Sequence, residues 1–190
     1  MAYQRGFKAD AERLALEMRS ELGAGSYGRL DPSGLAAHLD IPLRALSDLS
    51  GGADPGLADA VGTLLQQERD AVSAFTVLRG TRRIIVFNDA HDAGRVANSI
   101  SHELSHGLLL HPGAPALDRL GCRHWDADIE DEASFLGGAL LIPASAAWRL
   151  AKRRVPLEVA AEQYGCSVDV VRWRLNVTGA ARLLKGQRLA

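Results

Sequence analysis

Apolar residues recur every three or four positions in several stretches of this chain, as they do on one face of an amphipathic helix. The first such stretch predicts a helix over residues 9–22, which Gly23 ends. Its shared apolar face consists of Ala11, Leu14, Ala15, Met18 and Leu22. A second helix is predicted in DPSGLAAHL, where Asp31 can cap the helix and Pro32 occupies its first turn.

The pattern then changes to one that is typical of strands. IPLRAL predicts a short strand, and the β-rich runs 72–79 and 82–88 flank a tight turn near Gly80. These two runs predict a hairpin. Between IPLRAL and the hairpin, residues 57–68 predict a further helix.

Helical spacing returns after the hairpin. We predict a helix over residues 92–110, a loop over 111–127 and a helix in DIEDEASFLGGALL, which Pro143 ends. Three short helices follow, near residues 144–152, 157–164 and 168–176. The predicted fold class is α+β, with a small antiparallel or mixed sheet. We expect one domain over residues 1–147 and a small helical region over 148–190.

The composition is that of an ordinary globular protein, with 47% hydrophobic and 24% charged residues among 190. Residues 1–10 lack the apolar run of a secretory signal, and no apolar stretch approaches the ~20 residues of a membrane helix. The two cysteines, Cys122 and Cys166, are too few for a disulfide scaffold, so we expect free thiols in a reducing compartment. These features predict a cytoplasmic protein without a membrane partner.

Charge is unevenly distributed along the chain. Residues 148–190 contain nine basic and three acidic residues, a net charge of +6. Thirteen basic and twenty acidic residues remain in the preceding part, whose net charge is −7. The basic C-terminal region either meets an anionic partner or forms a solvated surface that balances the acidic body.

The stretch SHELSHGLLLHP, residues 101–112, carries the clearest candidate chemistry. On a helix, His102 and His106 lie one turn apart on the same face, so both imidazoles can bind one metal ion. Glu103 is rotated by about 100° from His102 and lies beside the metal, where it can take a proton from a water molecule. This order of residues, HExxH, is typical of zinc metallopeptidases.

A catalytic zinc ion uses three protein ligands and one open position. The third ligand has to come from outside HExxH. The segment DADIEDEASF offers several acids, among which spacing does not distinguish Glu130, Asp131 and Glu132. An acid in the first turn of a helix also complements the helix dipole without any metal. Further candidates are His111, Cys122 and His124, of which the two histidines can instead polarise the scissile carbonyl.

Together, HELSHGLLLHP and EDEASFLGGALLIP resemble two motifs of the ImmA/IrrE-type metallopeptidases. In that family, an HELGH-type helix is followed by a helix of the form E-A-N-x-F-A-x-x-L-L-M-P. The spacing from Glu132 to Pro143 is the same here. The positions that differ are Ser105, where Gly is usual, Ser134, where Asn is usual, and Phe135, an aromatic residue one position early. The missing Asn predicts the loss of a hydrogen bond behind the metal ligands.

The resemblance implies a compact zincin-like domain with one bound Zn²⁺, although Mn²⁺ or another divalent ion also suits such ligands. It implies that His102, His106 and Glu132 are the ligands. It also implies that Glu103 is the general base. The strand before the active-site helix is implied to line the cleft, where an extended substrate adds as a further strand.

In this family the substrate is commonly a helix-turn-helix repressor, often encoded nearby. The resemblance therefore implies a zinc metalloendopeptidase of restricted specificity that cleaves an XRE-type repressor and derepresses stress-response or mobile-element genes. One alternative is a DNA- or repressor-binding regulator with a structural or vestigial zinc site, and another is a protease-type toxin restrained by an antitoxin. Glu103 argues against the regulator, because a structural zinc site has no use for a general base.

The basic C-terminal region contains AAEQYGCSVDVVRWRLN, which has the spacing of a helix-turn-helix. Gly165 falls in the turn, and Ser167 is a candidate N-cap of the second helix. On that helix, Arg172 and Arg174 are candidates for contact with DNA or with a protein partner. We favour packing on the protease domain or substrate docking over DNA binding, because Arg174 occupies a position where an apolar residue is expected.

Overall fold

The computed structural model of the chain describes residues 3–51, 62, 72–80, 82–112 and 126–185. The predicted helix over residues 57–68 lies outside these ranges except for one residue, and Cys122 and His124 lie outside them as well. Within the described residues, eight α-helices and a three-stranded sheet are defined. The predicted α+β fold class is therefore confirmed.

Two helices begin the described chain. Helix α1 spans Phe7–Glu21 and helix α2 spans Pro32–His38. The side chain of Asp31 accepts hydrogen bonds from two backbone N–H groups in the first turn of α2, which confirms it as the N-cap. Ala11 and Ala15, on the predicted apolar face of α1, are buried.

The sheet contains the predicted short strand and the predicted hairpin. Strand β1 spans Leu43–Ala45, β2 spans Ala74–Arg79 and β3 spans Arg82–Phe87. The order is β1-β3-β2, in which β3 pairs with β1 in parallel and with β2 in the antiparallel direction. Because β3 has a neighbour on each side, an extended substrate cannot add to it as the resemblance implied. Within the described residues, β1 and β2 are the two outer strands, and β2 is the one closer in sequence to the helix that carries HExxH.

Two long helices pack against each other. Helix α3 spans Ala93–Leu108 and helix α4 spans Ala127–Leu141, close to their predicted positions. They approach closely at Gly137, where a Cβ atom would lie 3.1 Å from the backbone nitrogen of His102. This contact sets the distance between the side chains that the two helices direct toward each other.

One hydrophobic core joins α1, α2, α3, α4 and the sheet. Its larger buried members include Leu30, Leu35, Ile85, Ile100, Leu104, Phe135, Leu136 and Leu140. Burying a side chain of this size stabilises the fold by roughly 1.5–3 kcal/mol. The core therefore fixes α3 and α4 against the sheet.

Four shorter helices follow α4. They are α5 (Ala144–Arg153), α6 (Leu157–Tyr164), α7 (Val168–Val177) and α8 (Ala181–Lys185). Their buried side chains form a second hydrophobic cluster with Leu141 and Ile142 at the end of α4. No described helix by itself has the length and apolar composition to cross a bilayer, although α4 and α5, bent by 58°, meet that test together. The domain boundary expected after residue 147 falls inside α5 and stays a prediction.

Helices α6 and α7 are joined by a short turn, as the sequence predicts. Gly165 adopts a left-handed conformation in the turn, with φ 65°. The Ser167 hydroxyl accepts a hydrogen bond from the backbone N–H of Val170, which confirms Ser167 as the N-cap of α7. Between the two helices, Cys166 is a free, buried thiol, and burial raises its pKa to about 11. This thiol is therefore protonated at neutral pH.

Two buried arginines fasten the C-terminal end of α4. Arg19 of α1 donates to the backbone carbonyl of Leu140. Arg174 of α7 donates to the carbonyl of Ile142 at 2.7 Å and to the carboxylate of Glu12. Positive groups at the last carbonyls of a helix satisfy unpaired acceptors and complement the helix dipole. Helices α1, α4 and α7 are joined through these contacts.

The position of Arg174 corrects its predicted role in binding DNA or a partner. Its side chain is 0% exposed, so no molecule at the surface reaches it. The sequence expectation treated a guanidinium as a surface group, whereas Glu12 and a helix terminus supply partners for it in the interior. Arg172 is exposed and pairs with Asp169, and its contact with a partner stays a prediction.

We expect Arg174→Ala to lower the free energy of unfolding by about 3 kcal/mol, because it leaves Glu12 and a helix terminus without their buried partner. Urea denaturation measures this change. Arg172→Ala, on the same helix, is the matched control and should change stability by less than about 0.5 kcal/mol, since its ion pair is exposed. Equal, small changes in both variants would show that Arg174 does not anchor α7.

Candidate metal centre

Helix α3 presents the HExxH residues from a rigid position. Asp92 caps the helix by accepting a hydrogen bond from the backbone N–H of Arg95. Ile100 and Leu104 are buried in the core and hold the opposite side of the helix. Ser105, where the resemblance expects Gly, is buried and bonds to a backbone carbonyl of its own helix at 2.7 Å. The hydroxyl of Ser105 is therefore accommodated inside the core with a hydrogen-bond partner.

Three side chains converge between α3 and α4. The Nε2 atoms of His102 and His106 are 3.1 Å apart. One carboxylate oxygen of Glu130 lies 3.1 Å from Nε2 of His102, and the other lies 3.7 Å from Nε2 of His106. All three potential ligand atoms lie within 4.8 Å of one another. Two nitrogens and one oxygen thus point at a common volume.

This donor set fits a divalent metal ion. Zinc takes imidazole nitrogen and carboxylate oxygen ligands at about 2.0–2.2 Å in tetrahedral geometry, which places any two of them roughly 3.3–3.5 Å apart. The two Nε2 atoms are 3.1 Å apart, and the Glu130 oxygen nearer to His102 is 3.1 Å from its Nε2, so both separations are close to that range. Three protein ligands also leave a fourth position open, as catalytic zinc sites require.

The protonation states at this cluster suit metal binding. Burial, and after it the neighbouring His102, lowers the pKa of His106 to about 4, so its imidazole is neutral at physiological pH. The hydrogen bond with His102 lowers the pKa of Glu130, which keeps this side chain a carboxylate. Neutral imidazole and carboxylate are the forms that bind metal ions.

Thr76 is a functional candidate that the sequence analysis missed. Its hydroxyl donates a hydrogen bond of 2.6 Å to a carboxylate oxygen of Glu103. Thr76 pairs with Ile85 across the hairpin, so both side chains point to the face of the sheet that α3 covers. Side chains alternate between the two faces of β2, and only the register of the hairpin shows that Thr76 is on the face toward α3. The outer strand is thereby linked directly to the predicted general base.

We expect Thr76→Val to reduce kcat about 10-fold with little change in KM, because the base loses the group that orients it while the substrate contacts remain. Thr76→Ser restores the hydroxyl and should recover most of the rate. Steady-state kinetics on a cleaved substrate measures both variants. A larger change in KM than in kcat would indicate that Thr76 contributes to substrate binding instead.

The structure places the other predicted site residues around this cluster. Glu132 does not lie at the histidine pair: its carboxylate is 3.3 Å from Nε2 of His111. His111 in turn places Nδ1 at 3.0 Å from Nδ1 of His106. The structure therefore brings Glu130 to the pair, although spacing had left it equal with its neighbours. Glu132 as third ligand, and a role for His124 outside the described residues, stay predictions.

Ser134 partly replaces the Asn that the resemblance expects. Its hydroxyl lies 3.4 Å from Nδ1 of His102, the ring nitrogen that faces away from Glu130. At this distance the hydrogen bond is a weak one. A weak contact behind His102 is therefore present.

Comparison with known protein families gives a match, and it includes all the residues of the candidate metal centre. A family model described as the IrrE N-terminal-like domain, a peptidase family, matches residues 58–176. This segment is more than half of the chain and includes α3, α4 and the hairpin. No curated protein matches the chain.

Proposed function

The chain belongs to the peptidase family of the IrrE N-terminal-like domain, and from this premise we propose that it is a zinc-dependent metalloendopeptidase of restricted specificity. Its proposed substrate is an XRE-type helix-turn-helix repressor in the cytoplasm. Cleavage of that repressor would derepress the stress-response or mobile-element genes under its control.

The observation that carries the proposal is the convergence of two imidazoles and a carboxylate beside a further carboxylate. His102, His106 and Glu130 supply a three-ligand site. Glu103 is on the same helix and is oriented from the sheet by Thr76. A purely structural site uses four protein ligands and needs no adjacent base. The donor set therefore supports a catalytic site, and two imidazoles with one carboxylate suit zinc.

The chemistry divides between the metal and the protein. A zinc ion held by His102, His106 and Glu130 would polarise the scissile carbonyl and increase the acidity of water. Glu103 accepts a proton from the attacking water and delivers it to the nitrogen of the leaving amine. The hydrogen bond from Thr76 restricts rotation of the Glu103 carboxylate during both transfers.

Strand β2 is the proposed docking site for the peptide around the scissile bond. Val77 and Leu78 are each 42% exposed on this outer strand. Thr76, which precedes them, donates a hydrogen bond to the proposed general base, Glu103. An extended segment of the repressor would pair with β2 through backbone hydrogen bonds and pass the candidate metal centre. In this proposal the substrate strand pairs with β2 and not with the central strand β3.

The experiment that tests the proposal combines the zinc-loaded protein with purified XRE-type repressors encoded beside its gene. Intact-mass spectrometry is expected to show two fragments from a single cut in one of them. A zinc chelator should stop the reaction, and added zinc should restart it. Cleavage that persists with the chelator, or none of these repressors cut by fully loaded protein, would contradict the proposal.

A further inference from the structure

His111 follows the C-terminus of α3 and is nevertheless buried, with 7% of its surface exposed. Leu110 adopts a left-handed conformation with φ 55°, while its own side chain remains 85% exposed. The backbone N–H of Leu110 bonds to the carbonyl of Gly107, and that of His111 bonds to the carbonyl of His106. These are the two hydrogen bonds of a Schellman motif, which turns the chain back and places His111 beside His106.

The imidazoles of His106 and His111 are in contact at this turn, with their ring planes inclined by 67°. Their Nδ1 atoms are 3.0 Å apart, and Nε2 of His111 lies 3.3 Å from a carboxylate oxygen of Glu132. The backbone carbonyl of His111 also accepts a hydrogen bond of 3.0 Å from Arg83, which holds the turn against the sheet. Glu132, His111 and His106 therefore form one continuous chain of polar contacts that ends at the candidate metal centre.

The direction of each hydrogen bond in this chain follows from the role of His106. When Nε2 of His106 binds a metal ion through its lone pair, the proton of the neutral ring is on Nδ1. That Nδ1 donates to Nδ1 of His111, whose own proton is on Nε2 and is donated to the Glu132 carboxylate. Every donor in this chain of hydrogen bonds meets an acceptor, and neither imidazole has to carry a second proton.

We propose that His111 and Glu132 are positioning residues of the metal centre, which hold the ring of His106 in its metal-binding orientation and tautomer. The proposal rests on the proposed function, because it assumes a metal ion at His102, His106 and Glu130. It gives Glu132 a role two hydrogen bonds away from the metal instead of a place among the ligands. Removing such an outer partner of a ligating histidine typically weakens metal binding about 10- to 100-fold.

Zinc affinity, measured by competition with a chelating dye, tests this pair. We expect His111→Phe and Glu132→Ala each to weaken zinc binding about 10- to 100-fold. Glu132→Gln should retain most of the affinity, because its amide oxygen still accepts a hydrogen bond from His111. The double variant should bind no more weakly than the weaker single variant, because both changes interrupt the same chain. Asp131→Ala, on the same helix, is the matched control and should bind zinc as the wild type does.

Two results would overturn the proposal while the proposed function stands. One is a Glu132→Gln variant that loses as much affinity as Glu130→Ala, which would make Glu132 a ligand. The other is unchanged affinity in His111→Phe, with circular dichroism confirming that the variant is folded. A folded wild-type protein that binds no zinc would instead contradict the proposed function, and the assigned roles of His111 and Glu132 with it.

Discussion

Glu103→Gln is expected to bind zinc as tightly as the wild type and to cleave its substrate about 10²- to 10⁴-fold more slowly. The amide has nearly the shape of the carboxylate, and its oxygen can still accept the hydrogen bond from Thr76. Its place beside the metal centre is therefore kept. The capacity to accept a proton is lost, so both proton transfers assigned to Glu103 lose their carrier. Zinc per chain and kcat/KM on the same preparation measure the two effects separately.

The matched control for this prediction is Glu162→Gln, an equal change of charge on an exposed position of α6. It should leave both cleavage and zinc content unchanged. Rapid cleavage by a zinc-loaded Glu103→Gln variant would remove Glu103 from the mechanism. Loss of zinc from the same variant would show that Glu103 supports the metal rather than the proton transfer.

The part of the site that lies on one helix was predictable from the sequence. His102 and His106 are four residues apart, and helical geometry alone puts them on one face. The helix itself follows from its cap at Asp92 and its apolar periodicity. The hairpin and the α+β class could also be predicted from the sequence, since each depends on patterns within about twenty residues of chain.

The third ligand was not predictable, because it depends on the rotation of α4 about its axis. From Phe135 onward every residue of this helix is buried, so its apolar pattern does not show which side faces α3. A weaker signal is present in the small residues. Ser134 and Gly137 follow Glu130 at four and seven positions, which places all three on one face. Ser134 and Gly137 both lie close to His102, and Glu130 does so through the same face.

Arg174 and His111 show why single-residue expectations fail for buried polar groups. Arg174 finds its carboxylate partner at Glu12, 162 positions earlier in the chain. His111 enters the interior because Leu110 adopts a backbone conformation that is unfavourable for a residue with a side chain. Neither partner nor turn leaves a local pattern in the sequence. Arg174 does stand where the helix-turn-helix spacing expects an apolar residue, but this sign of burial does not identify its partner.

Zinc affinity is expected to fall further in Glu130→Ala than in any variant of Glu132. Four-ligand zinc sites bind with roughly 10–16 kcal/mol, or about 2.5–4 kcal/mol for each ligand. Loss of one ligand therefore corresponds to a decrease of about 10²- to 10³-fold. Glu130 is also the only carboxylate that the described structure brings to both histidines. Competition with a chelating dye, on folded protein, measures the difference between the two variants.

Which variant loses more zinc affinity, Glu130→Ala or Glu132→Ala, shows which of the two carboxylates is the third ligand. If Glu132→Ala loses more affinity than Glu130→Ala, the ligand implied by the family resemblance is correct, and α4 has to rotate toward α3 when the metal binds. Glu130 and Glu132 differ by about 200° around the helix axis, so both cannot face the metal in one arrangement of α4. A larger loss in Glu130→Ala leaves α4 as it stands, with Gly137 against His102. Zinc binding then requires no rearrangement of the core.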